Sequence, residues 1–116
     1  GVDCLLSSLP HYRYRHLYVI WASMADKSYG DMLNDVGRVA DVLLLTKPDS
    51  ERAAEPGDLR SQLRCDQSRE VQICSTVNEA LELVQKRAQI EDLIVVAGSI
   101  YLVGEFRKLV VGEVVP

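Results

Sequence analysis

The sequence predicts an α/β fold: a three-layer, Rossmann-like, mostly parallel sheet whose first strand would lie before Gly1. Three observations lead there. Leu17 to Ala22, Asp41 to Thr46 and the run that opens at Asp92 are apolar with no polar residues to alternate against, which suits strands covered on both faces. Segments of helical periodicity and crossover length separate these runs. Short hairpin signals are absent, so right-handed parallel pairing is expected.

Taken in order, Gly1 to Leu9 reads as a helix with Val2, Leu5, Leu6 and Leu9 on one side, ended by Pro10. Its abrupt start suggests an excised domain. Leu17 to Ala22 is the first strand. Ser28 and Asp31 resemble a capping box, followed by Met32, Val36 and Val39 as a buried helical face. Asp41 to Thr46 is the next strand, and the prolines and glycine of 47–57 mark a loop. Asp58 to Cys65 is a short helix with Leu59 and Leu63 four apart, and Val71 to Cys74 a short strand. Thr76-Val77-Asn78-Glu79 is the clearest capping box, and Val77, Ala80, Leu81, Val84 and Ala88 trace one face behind it.

The last strand and helix organise the rest. From Asp92 the chain runs through Leu93-Ile94-Val95-Val96-Ala97, turns at Gly98-Ser99, and continues with Ile100, Val103, Phe106, Leu109 and Val110 at helical spacing. Gly98 removes a Cβ where the chain turns sharply, and Ser99 suits an N-cap. A strand thereby delivers a helix N-terminus to the carboxyl edge of the sheet, where open α/β sheets bind ligands and free amides favour an anion. Ser99 can cap its own helix and still face a ligand. The same edge gathers Asp26-Lys27 and Asp49 to Arg52.

With 116 residues, nearly half hydrophobic, the chain suits one ordered domain spanning 1–116. A net charge of −4 argues against a nucleic-acid surface, and Arg13, Arg15 and His16 read as a solvated rim before a strand. Cys4, Cys65 and Cys74 are odd in number and contain no C-x-x-C pair, which fits a reduced, cytoplasmic setting better than disulfides or zinc. No metal-ligand spacing, membrane-length apolar run or signal-peptide pattern stands out, so neither a metal nor a membrane partner is expected.

Three segments in the right order resemble the C-terminal domain of folylpolyglutamate synthase and its dihydrofolate synthase relatives, within the Mur ligase superfamily. Gly98-Ser99-Ile100-Tyr101-Leu102-Val103-Gly104-Glu105 is similar to the family's G-S-x-Y-L-V-G-E, Asp26-Lys27 to its D-K-D loop, and Thr46 to Ala53 to a T-x-P-x-x-x-R-A segment. Ser28 replaces the second aspartate of D-K-D, and Ala22 stands where a glycine is common. The D-G-A-H-N-P-like opening, the ATP-binding P-loop and the ATPase domain with its magnesium ligands are not in this sequence. The resemblance implies ATP-dependent addition of glutamate to a folate, through an acyl phosphate on the acceptor, by a larger polypeptide. That polypeptide would supply ATP and Mg binding and an N-terminal ATPase domain as partner; this chain alone is expected to bind neither cofactor and to be inactive, with no catalytic residue of its own.

On that resemblance Ser99, Arg52 and Lys27 are the candidate glutamate-binding residues, Arg52 through two parallel hydrogen bonds and Lys27 by neutralising a phosphate or carboxylate. Exposed loop Lys and Arg are also commonly just solvated. Asp26 is placed near the nucleotide, or orients Lys27, or caps the next turn. Gly98, Tyr101, Gly104 and Glu105 belong to the recognisable segment as motif or interdomain positions. Tyr101 and Glu105 share a helical face, and a glycine inside a helix costs about 1 kcal/mol relative to alanine, which a close neighbour at Gly104 would explain. Two other readings compete: a stand-alone Rossmann-like binding or interaction module, and a phosphate-accepting regulatory domain, for which only Asp26 and Asp49 are candidate acids.

Overall fold

The computed structural model describes residues 14–26, 28–64, 70–98 and 102. Strands β1 (Leu17–Trp21), β2 (Val42–Leu45), β3 (Glu70–Ile73) and β4 (Leu93–Ala97) form one sheet in the order β3-β2-β1-β4. All three pairings are parallel: Tyr18 lies beside Val42 and Ile94, and Leu43 beside Val71. Every described strand therefore ends on the same edge.

Helices α1 (Gly30–Val39), α2 (Pro56–Ser61) and α3 (Val77–Arg87) make the crossovers. The period-2 alternation of strand side chains sorts the core into two faces. Leu17, Val19, Trp21, Leu43 and Leu45 pack with Leu33 and Val36 of α1 and Leu59 of α2. Tyr18, Ile20, Val42 and Leu44 pack with Val77, Ala80 and Val84 of α3, and with Leu102. These are the three layers expected. From β1 to β3 the chain steps one way with its helices on one face; α3 then carries it back past β1 on the other face. Right-handed crossovers require that change of face when the direction reverses.

Two expectations are corrected. The run after Asp92 is expected to be buried on both faces, yet the fully covered strands are β1 and β2, while β4 is the last strand of the described sheet, with Ile94 41% exposed. Apolar continuity reports covered faces but not position within the sheet. In α1, Ser28 and Asp31 form no capping box; Tyr29 is the N-cap and makes no side-chain cap bond. Its buried face is Leu33, Asn34, Val36 and Gly37, with Met32 and Val39 largely exposed.

Asn34 explains that rotation. Its amide donates to Gly30 O at 2.7 Å and Gln62 O at 2.9 Å, and its oxygen accepts from Arg64 N at 2.9 Å. A polar residue thus turns inward to tie α1 to the end of α2, which a search for apolar periodicity misses. Helix α2 also begins earlier than expected, with Pro56 in its first turn, where the missing N–H is harmless. Thr76 does cap α3, accepting from Glu79 N at 3.1 Å, while the Glu79 carboxylate accepts from Ser75 N at 3.2 Å. The expected first and last helices lie outside the described residues except for Leu102, which is helical and buried.

Candidate functional site

The loops after β1 and β2 are stitched together across the carboxyl edge. Ala54 N donates to Ser23 O at 2.8 Å and Ala25 N to Arg52 O at 2.7 Å, around an antiparallel bridge between Met24 and Ala53. Ala22, Ser23, Met24, Ala53 and Ala54 are all buried, so this small ladder is part of the core. Asp26 and Arg52 project from its far end, where Arg52 Nη2 donates to Asp26 Oδ2 at 2.7 Å, and both side chains are more than half exposed. The Arg52 amide is also held, donating to Ser50 Oγ at 3.3 Å.

Strand β4 joins the same edge from the other side of β1. Gly98 has φ of +106°, and a Cβ built there would lie 2.1 Å from Ala22 O and 3.1 Å from two Trp21 ring carbons. Only glycine allows the chain to turn so close to the end of β1. Trp21, fully buried below, donates from Nε1 to Ser23 Oγ at 2.8 Å. Strand order reverses between β1 and β4, and such a switch point opens a crevice beyond the strand ends. Asp26 and Arg52 stand on the loops that leave β1 and β2, and Gly98 at the end of β4, on that same edge.

Sequence reasoning overlooked a cavity of about 480 Å³ further along the edge, between the ends of β2 and β3. The 47–51 loop lines it together with Ser75 and Thr76, which precede α3. Lys47 Nζ donates to Glu55 Oε1 at 2.7 Å. The signal was available: the capping box at Thr76 starts a helix on the edge where the other loops converge. Nearby, Thr46 is fully buried and its hydroxyl meets no hydrogen-bond partner among the described residues. Leaving a buried hydroxyl in that state costs about 1–3 kcal/mol. Cys74 is a core residue here, since burial first and the charge of Glu79 second push its thiol up to about 11, leaving it protonated at neutral pH.

Of the residues singled out from sequence, Asp26, Arg52 and Gly98 share one edge. Lys27, Ser99, Tyr101, Gly104 and Glu105 lie outside the described residues. The resemblance set Asp26 beside Lys27 or the nucleotide; in the structure its carboxylate meets Arg52. Among the described residues no three His, Cys, Asp or Glu side chains converge on a metal position, and the sequence carries no P-loop. Among the same residues no helix is long and apolar enough to cross a membrane.

The family description "Mur ligase, glutamate ligase domain" matches residues 1–100. The chain belongs to that family. A probable bifunctional folylpolyglutamate synthase/dihydropteroate synthase of Haloferax volcanii is 32% identical over 108 residues, covering 93% of this chain and 13% of its own length. E. coli FolC in complex with ADP superposes with a TM-score of 0.83 at 17% identity, over 96% of this chain and 26% of that one. The bifunctional folylpolyglutamate synthase/dihydrofolate synthase of Yersinia pestis, complexed with AMPPNP and Mn, gives 0.81 at 18% identity, over 93% and 25%. This glutamate ligase domain thus spans about a quarter or less of the proteins it resembles. At such identities the solved structures establish its fold.

Proposed function

We propose that this glutamate ligase domain seats L-glutamate for an ATP-dependent ligase that extends a folate, with the energy-coupling chemistry carried by the remainder of a longer polypeptide. The strand-order reversal carries this reading: Arg52, on a loop pinned to the core, and the turn at Gly98 both stand at the carboxyl edge on which β1 and β4 end. There the amine of glutamate attacks the carbonyl of an acceptor activated as an acyl phosphate; an amide C–N bond forms, the C–O bond to phosphate breaks, phosphate leaves with its electron pair, and the proton lost by the nitrogen passes to water. The amine must reach the carbonyl uncharged, so the domain's task is to hold the two carboxylates of glutamate while aiming the nitrogen. Arg52 suits a carboxylate through paired N–H donors, and Ser99 with the amides that follow suits a second. Lys27 adds positive charge on the same loop as Asp26.

The test uses the full-length ligase containing this domain. Arg52→Gln is expected to raise the glutamate KM at least about tenfold, the worth of a charge-assisted hydrogen bond, and Ser99→Ala to raise it less, with the KM for ATP unmoved. An unchanged glutamate KM in both variants refutes the assignment. The separate chain of 116 residues is expected to hydrolyse no ATP.

A further inference from the structure

We propose that Asp26 is a positioning residue for Arg52, holding the guanidinium at the carboxyl edge of the sheet so that it meets the incoming carboxylate already oriented. The proposal rests on the reading of Arg52 given above. Its basis is geometric: the Met24–Ala53 bridge and the bonds from Ala25 N to Arg52 O and from Ala54 N to Ser23 O fix both backbones where the two side chains meet. Arg52 Nη2 then lies 2.7 Å from Asp26 Oδ2.

An arginine side chain has several rotatable bonds, and a substrate that must order it loses affinity. A guanidinium presents five N–H donors in one plane, so it can serve two carboxylates together. Asp26 orders the side chain in advance. With both side chains more than half exposed, the pair does little for the stability of the fold. What it changes is the conformation from which Arg52 begins.

The full-length ligase is assayed as wild type, Asp26→Asn, Asp26→Glu, Arg52→Gln and the Asp26→Asn/Arg52→Gln double variant, with the urea midpoint of each recorded. Asp26→Asn is expected to raise the glutamate KM about threefold to fivefold, the upper part of what an exposed ion pair supplies. Its kcat and urea midpoint stay near wild type. Asp26→Glu restores most of the affinity, and in the double variant the Asp26 change adds nothing to the effect of Arg52→Gln. If Arg52→Gln leaves the glutamate KM unchanged, the reading of Arg52 itself falls. If Arg52→Gln raises it while Asp26→Asn does not, or the two effects are additive, the positioning role is overturned and the reading of Arg52 stands. A lowered urea midpoint and kcat with unaltered KM overturns it too, in favour of a purely structural pair.

Discussion

Replacing Gly98 by alanine probes the join on which the crevice depends. The new Cβ would stand 2.1 Å from Ala22 O and 3.1 Å from Trp21 Cδ2 and Cε2, at a φ of +106°. The backbone conformation alone costs a residue with a Cβ about 1–3 kcal/mol. The oxygen belongs to the backbone and the ring is fully buried, so relief requires the end of β4 to move away from β1, adding about 1–3 kcal/mol of overpacking. A total of roughly 2–6 kcal/mol lowers a urea midpoint by about 1–4 M at an m-value near 1.5 kcal/mol/M. The assay is equilibrium urea unfolding of the chain, followed by far-UV circular dichroism and by the fluorescence of Trp21, its single tryptophan. Gly57→Ala is the control: a Cβ there meets nothing within 4 Å, inside α2, and is expected to be neutral or stabilising by up to about 1 kcal/mol. Equal midpoints for the two variants would refute the steric argument.

Asn34→Ala removes two donated bonds and one accepted bond. By stranding polar groups of Gln62 and Arg64 it should cost about 2–4 kcal/mol in chemical denaturation. Glu70 accepts from Arg87 Nη2 at 2.8 Å; hydrogen bonds from Arg87 first and Gln72 second bring its pKa from 4.5 down to about 2. A depressed carboxylate adds stability that is complete above its unfolded pKa and is lost as pH falls from about 4.5 through about 2. Solvent screening of this partly exposed pair limits the gain to about 1 kcal/mol, so wild type and Glu70→Gln should differ in urea midpoint at pH 7 and converge toward pH 2.

The sequence contained most of this fold because its strands and crossovers follow covered, apolar patterns, and because the Thr76 box declares where α3 begins. Sheet order was harder to read. Leu93 to Ala97 is as apolar as β2, yet it is the last strand of the described sheet, since composition records contact with the layers above and below but not the number of neighbouring strands. Asn34 hid the true inner face of α1, its burial being satisfied by partners 28 and 30 residues away. For the site, local motifs marked the loops that carry Asp26, Arg52 and Gly98. That Asp26 would meet Arg52 was not legible, because the pairing spans 26 residues and depends on two loops meeting across the sheet edge. The cavity beside Ser75 and Thr76 was in principle recoverable from parallel topology, which brings the end of β3 to the same edge.

The stability of the crevice and its chemistry draw on different parts of the chain. Strand β1 is hydrogen-bonded on both sides and wholly buried, so the loop leaving it starts from the firmest point in the sheet. Strand β4 has β1 as its described strand neighbour, and at its end Ala22 N reaches Ala97 O over a long 3.4 Å. The edge therefore joins the β1 and β2 loops, bonded to each other through the Met24–Ala53 bridge, to a β4 end whose position depends on the Gly98 contact. A ligand held from both would favour the arrangement in which they stand at the correct distance, and by linkage its binding would stabilise the β1–β4 join in proportion to its occupancy. Close approach at Gly98 and orientation at Arg52 then serve the same end: each is established by the fold before a substrate arrives, so less of the binding energy is consumed in assembling the site.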